Sequence, residues 1–340
     1  CIILVQGAMI QEPLKIGPVQ IRNRAILAPM SGISDLPFRR LAWRHGAGLV
    51  VTEMVASREL VTNRKESWTR LKGDGIRPHM VQLAGREADW MREAAIIAEA
   101  NGADVIDINM GCPAKKVTGG YSGSALMRDP DHALSLIEAT IEAVSVPVTV
   151  KMRLGWDDNS INAPHIAYRA EQAGARMITV HGRTRCQFYK GRADWVAIRA
   201  VREAISIPLV ANGDVETTGD VEQILAKSGA DAVMIGRATQ GRPWLVGQLA
   251  GNQTYPKSPA AICDHVLEHY AMNLELHGPD VGVRHFRKHL GWYLDRHVHQ
   301  CPGDLKARIM TGLEPDAIAA LVRQAFRDTR NHRAGERAAA

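Results

Sequence analysis

The sequence predicts an α/β chain, a TIM (β/α)8 barrel followed by a small C-terminal helical bundle. Between residues 24 and 238, short β-branched apolar runs alternate eight times with longer amphipathic segments. Most runs are introduced by a Gly or Pro break that ends the helical text before them. After Trp244 the strand pattern stops and helical text takes over.

In order, the opening CIILVQGAMI fits no later element and lacks the basic flank and small-residue cleavage site of a secretory leader, so it reads as a frayed or processed start. PLKIGPVQIRNR (13–24) alternates around a Gly-Pro turn and is expected to form a hairpin plugging the barrel floor, within an extension over 1–23. The barrel then occupies 24–251. Its runs are RAILAPM (24–30), GLVVTEMV (48–55), HMVQLAG (79–85), DVIDINMG (104–111), VPVTVKMR (146–153), MITVHGR (177–183), IPLVANGD (207–214) and AVMIGRA (232–238). No run leads into a GxGxxG turn, which favours a closed barrel over an open doubly wound sheet. NQTYPKSP (252–259) reads as a linker. Residues 256–330 read as about four helices broken at HGPD, CPGD and Glu314-Pro315, and 331–340 as a loose tail.

With 46% apolar residues the chain can bury a sizeable core, which sets disorder aside. The net charge of +6 favours a polyanionic partner. Five cysteines, odd in number and without a CxxC pair, read as thiols of a reducing cytoplasm. No apolar run approaches the roughly 18 residues of a membrane span. A soluble, cytoplasmic monomer is expected, with no membrane association.

In a TIM barrel the chemistry sits at the C-terminal strand ends. Here these close in Ala28-Pro29-Met30, Gln82, Asn109-Met110-Gly111-Cys112, Lys151 with Arg153, His181-Gly182-Arg183, Asn212-Gly213-Asp214 and Gly236-Arg237. Glycine turns after strands seven and eight are where barrels commonly bind phosphate through backbone N–H groups, and Arg237 adds a cation. The plainer reading is that these glycines close tight turns. Lys151 lies in a run that should be buried, so it needs an anion. The edge of a flavin ring would serve, and so would a neighbouring carboxylate such as Asp107. Gln82 offers a donor and an acceptor to such an edge, or satisfies backbone groups. Cys112 ends strand four and opens a long Gly-rich segment, AKKVTGGYSGSALMRDP, of the kind that forms lids. A thiol of ordinary pKa is protonated near neutrality and can serve as a general acid.

The strings DINMGCPAKKV…GSALM, APMSGISDLPFRR, VQLAG, VKMRLGW, VHGRTRCQFYKGRADW, NGD, IGRATQGRPW and RKHLGWY run in order along nearly the whole chain. Together they resemble the tRNA-dihydrouridine synthase family, most closely its bacterial B-type branch; the loop interior TGGYS is the main departure. The resemblance implies an FMN-dependent oxidoreductase that uses NADPH to saturate the C5–C6 bond of a D-loop uridine in tRNA. It implies that Ala28, Pro29, Met30, Gln82 and Lys151 hold the flavin ring with His181 nearby, and that Asn212, Gly213, Asp214, Gly236 and Arg237 hold ribityl and phosphate. Asn109 would bind the uracil edge and Cys112 would donate the proton to C5, after hydride transfer from flavin N5 to C6.

Further tRNA contacts are expected from Lys115 and Lys116 on the lid, from Arg183, and from Arg284, Arg287 and Lys288. The last three fall at offsets of three and four and so share a helical face. The segment CDHVLEHY places His265, Glu268 and His269 in an HxxEH pattern that formally matches a zinc motif. It lies on an amphipathic helix away from the barrel mouth, so a solvated or RNA-facing surface is expected and no metal. Two other classes compete: an FMN barrel enzyme acting on a small molecule, like dihydroorotate dehydrogenase, and a non-catalytic RNA-binding regulator. The first has no need of a basic helical appendage, and the second has no need of Cys112 and Lys151.

Overall fold

The computed structural model describes residues 9–114, 117, 119 and 121–338, the side chains of 328–338 excepted. Residues 1–8 of the opening, and Lys115 and Lys116 of the lid, lie outside them.

Each predicted run supplies a strand. The hairpin is β1 (Leu14–Ile16) and β2 (Val19–Ile21), paired antiparallel. The barrel strands are β3 (Ala25–Leu27), β4 (Leu49–Val50), β5 (Val55–Ala56), β6 (Met80–Ala84), β7 (Val105–Met110), β8 (Val148–Arg153), β9 (Ile178–His181), β10 (Leu209–Asn212) and β11 (Ala232–Ile235). They hydrogen-bond in the order β4-β3-β11-β10-β9-β8-β7-β6-β5, every pair parallel.

The second run is split into β4 and β5. Between them Val51 bridges Met80 in parallel and the Thr52 N–H donates to the Met80 carbonyl at 3.1 Å. That brings the β4 side onto β6, so the sheet returns on itself through eight positions, the architecture of a TIM barrel. The hairpin turn uses Gly17 at φ +58°, where a side chain would be strained. Its Ile16 and Ile21 are fully buried against Ile26, Leu49, Met80, Val105, Met177 and Ala232, which lie toward the strand starts. The end opposite the site is thereby filled.

Local chemistry sets the helix boundaries. Asp35 caps Leu36–Arg44, and Asp129 caps Pro130–Ala143 with proline in the first turn. Thr217 and Asp220 form a capping box on Thr218–Ser228, which ends at Gly229 in the left-handed conformation.

The chain divides into two compact units. One runs to Ala238 and resumes over Val246–Asn252; the other comprises Thr239–Leu245 and the residues from Gln253 onward. The second contains the helices Pro259–His277, Pro279–His297, Gly303–Thr311 and Pro315–Ala338 around Val266, Tyr270, Phe286, Leu290, Tyr293, Ile309 and Val322. The last helix continues through most of the segment read as a tail, whose Ala and Arg content favours helix.

The histidines of the HxxEH segment do not form a solvated surface. His265 and His269 are buried. His265 packs edge-on to Trp244, and His269 shares a hydrogen bond with the Tyr293 hydroxyl at 3.0 Å. Ile262, Val266 and Tyr270 on the same helix show the cause: the pattern coincides with the apolar seam between two helices.

Candidate active site at the strand ends

Strand register makes neighbours of the predicted residues. Asn109 lies opposite Lys151, Arg153 opposite His181, and Asn212 between His181 and Met234. Lys151 donates from Nζ to Asn212 Oδ1 at 3.3 Å, and Asn212 Nδ2 donates to the Met234 carbonyl at 2.8 Å. Asp107 is not its ion-pair partner. The two carboxylate oxygens accept instead from Thr149 Oγ1 at 2.6 Å and Gln82 Nε2 at 2.7 Å. Lys151 therefore faces the barrel mouth with no carboxylate within salt-bridge distance among the described residues. Burial, with Arg153 adding repulsion, pulls its pKa down to about 8.

A second cluster centres on Asp214, whose φ is +55°. Its carboxylate takes both Nη groups of Arg183 at 3.0 and 2.6 Å, the Ala193 N–H at 2.8 Å and Arg237 Nη2 at 3.1 Å. Arg183 is buried, and its remaining hydrogen bonds run to the carbonyls of Lys190 and Gly191 and to His181 Nε2. This corrects the expectation of a tRNA contact: the guanidinium is consumed in tying the loop after β9 to Asp214. Because Arg183 can only donate, His181 Nε2 accepts and the ring proton sits on Nδ1. Burial, and repulsion from Arg153, Lys151, Arg183 and Arg237, hold the His181 pKa well below the usual imidazole range.

The two glycine turns differ. Gly213 has φ +127°, and a Cβ there would stand 2.6 Å from Ala193 Cβ and 3.0 Å from His181 Cδ2, so the turn itself requires glycine. At Gly236 a Cβ would meet Ala28 Cβ at 3.6 Å and Met30 Sδ at 3.7 Å, ordinary contact distances. That glycine relieves no clash; it leaves room beside the end of β3. The N–H groups of Gly213 and Asp214 have no acceptor among the described residues. Backbone donors without an acceptor on the turn that adjoins Arg237 suit an anion, and a phosphate-bearing flavin fits these donors together with Lys151.

Ala28 donates its N–H to Ile235, and the following loop is held by Ser34 Oγ on the Met30 N–H and by Glu53 on the Gly32 N–H. Cys112 is partly exposed. Its carbonyl accepts from the Ser124 N–H and hydroxyl at 3.1 and 2.9 Å, and burial raises its thiol pKa. Asn109 reaches it from the other side, with Oδ1 accepting the N–H of Gly111 at 3.2 Å and of Cys112 at 3.0 Å.

Strand-end reasoning passed over Tyr189, whose ring lies 5.5 Å from Arg153 Cζ and 4.8 Å from Arg237 Cζ. Adjacent Phe188 and Tyr189 in an Arg-rich, Gly-bearing loop were the available signal. In the helical unit Arg284 is exposed, Lys288 is partly buried, and Arg287 Nη2 reaches the Thr311 and Gly312 carbonyls at 3.4 and 3.2 Å. The three cations therefore do not present one uniform face.

The family model of dihydrouridine synthase matches residues 26–329. A probable tRNA-dihydrouridine synthase of Rhizobium leguminosarum bv. phaseoli is 67% identical over 302 residues, covering 89% of this chain and 95% of that protein. The tRNA-dihydrouridine synthase B of Pseudomonas aeruginosa is 42% identical over 330 residues, covering 95% and 98%. Among solved structures, TcOYE with pHBA superposes with a TM-score of 0.53 at 15% identity, over 75% of this chain and 96% of that one. Morphinone reductase gives 0.51 at 15%, over 74% and 92%. These structural likenesses show the barrel fold.

Proposed function

Since the chain belongs to the dihydrouridine synthase family, we propose that it is a tRNA-dihydrouridine synthase, reducing the C5–C6 bond of a D-loop uridine with FMN as cofactor and NADPH as reductant. The observation that carries the cofactor assignment is Lys151, a largely desolvated cation without a carboxylate partner, in the same mouth as the acceptor-free amides of Gly213 and Asp214.

The chemistry supplied by bound FMN is hydride delivery to uracil C6, renewed by NADPH. Ala28, Pro29, Met30 and Lys151 would hold the ring with His181 nearby, while Gln82, fully buried and bonded to Asp107 and Asn109, would act through those partners. Lys151 sets positive charge where a reduced flavin gathers negative charge. Asn212, Gly213, Gly236 and Arg237 receive ribityl and phosphate. Asp214 contributes its N–H, while its carboxylate fixes Arg183 and Arg237. Cys112 holds the proton for uracil C5, and its raised pKa keeps the thiol protonated at neutral pH. One N–H of Asn109 is committed to Gln82, and the second serves a uracil carbonyl.

The substrate's polyanionic backbone is met by the chain's positive charge, with Arg284 exposed on the helical unit. No helix among the described residues is long and apolar enough to cross a membrane. The test is anaerobic reduction of the flavoprotein by NADPH followed by addition of unmodified tRNA. Prompt flavin reoxidation by that tRNA, and not by tRNA already carrying dihydrouridine, is expected. Reoxidation by an unsaturated small molecule such as orotate and not by tRNA would overturn the assignment.

A further inference from the structure

A chain of side chains buried beneath the site ends at the proposed proton donor. Asp107, on β7, is fully buried and accepts from Thr149 Oγ1 and Gln82 Nε2. Gln82 Oε1 accepts from Asn109 Nδ2 at 2.7 Å. Asn109 Oδ1 in turn accepts the backbone N–H groups of Gly111 and Cys112 at 3.2 and 3.0 Å. The two ends of this chain impose the same polarity. An ionised carboxylate can only accept, and a backbone N–H can only donate. Gln82 and Asn109 each have one orientation that satisfies both ends, and turning over either amide sets like groups against each other.

We infer that Asp107 is a positioning residue for Cys112, acting through the side-chain amides of Gln82 and Asn109. This rests on the reading of Cys112 as the proton donor. Burial raises the Asp107 pKa to about 6, which still leaves it ionised and acceptor-only at neutral pH. The carbonyl side of Cys112 is held separately by Ser124, and the carbonyl of Gly111 by Arg153 Nε at 2.8 Å. Loss of the Asp107 acceptor therefore frees the N–H side of the turn while the rest of the loop keeps its anchors. The same network keeps the Gln82 amide from turning over beneath the flavin position.

The test compares alkylation of Cys112 by iodoacetamide with that of exposed Cys186 in the same flavin-loaded protein, read by peptide mass spectrometry across pH. In Asp107→Leu the Cys112 to Cys186 rate ratio should rise at least about fivefold, since one buried acceptor is lost and the turn loosens. Asp107→Asn should stay within about twofold of wild type, because its carbonyl still accepts from Gln82 while its NH2 donates to the Thr149 hydroxyl. An unchanged ratio in Asp107→Leu, or an equal rise in Asp107→Asn, overturns the relay. If Asp107→Leu does not fold, Gln82→Met breaks the next link at similar volume. Compared at equal flavin content, it should give the same rise, and no rise overturns the relay. Alkylation reads the setting of the thiol whether or not it delivers a proton. A Cys112 found dispensable for turnover would thus sink the functional reading and leave this result intact.

Discussion

Lys151 donates its hydrogen bond to the neutral amide oxygen of Asn212, at 3.3 Å, while Asp107 gives both of its oxygens to other donors. A lysine placed this way stabilises an anionic ligand more than it stabilises the fold. Lys151→Met should weaken FMN retention by roughly tenfold or more, the scale of one charge-assisted bond, with little change in melting temperature. Fluorescence titration of FMN alongside thermal denaturation checks both.

Cys112→Ala should keep FMN binding and NADPH-driven reduction and slow dihydrouridine formation by roughly 10²–10⁴-fold, the usual contribution of a general acid. Single-turnover measurements separate the two half-reactions. Equal loss of flavin and of turnover would make the thiol structural.

Arg183→Met should destabilise the barrel by about 1–3 kcal/mol, because two loop carbonyls lose a buried donor while the partly exposed Asp214 carboxylate keeps Arg237 and the Ala193 N–H. Urea denaturation measures it. A surface tRNA contact would instead leave stability unchanged and lower tRNA affinity alone.

His79 is buried with Nε2 donating to the Leu71 carbonyl, and burial lowers its pKa to about 4. The unfolded chain binds a proton there near its ordinary value of about 6.5. Between those values the unfolded state holds more protons, so this stability is present above pH 6.5 and is lost as pH falls toward 4. The loss is about 3 kcal/mol across that window. Asp107, whose pKa is raised, opposes it below pH 6. His79→Gln should flatten the fall in urea stability between pH 6.5 and 5, and an unchanged slope would contradict it.

In the helical unit Arg284→Ala should weaken tRNA binding and reduce its salt slope by about one, with stability unchanged. Arg287→Ala should lower stability as well, since that guanidinium meets the carbonyls ending Gly303–Thr311. Filter binding over a salt series and thermal melts distinguish the two.

The barrel is legible in the chain because each strand is a β-branched run bounded by a break, and because its functional residues sit at run ends. The split of GLVVTEMV is less legible, since Thr52, Glu53 and Met54 interrupt the ladder without a Gly or Pro to announce it. The role of Arg183 depends on Asp214, 31 positions away, a pairing no local pattern encodes. Asp107 carries a signal that is visible in retrospect, an acidic residue inside a buried run. Its partners Gln82 and Thr149 come from adjacent strands and are set by register. His265 and His269 mislead because histidines read as a solvated face occupy the same helical spacing as the buried seam of Ile262, Val266 and Tyr270.

The most direct test is nucleoside mass spectrometry of unmodified tRNA incubated with the purified flavoprotein and NADPH. Dihydrouridine should accumulate at a D-loop position with wild type and be nearly absent with Cys112→Ala. NADPH oxidation without any dihydrouridine from the wild-type protein would contradict the account.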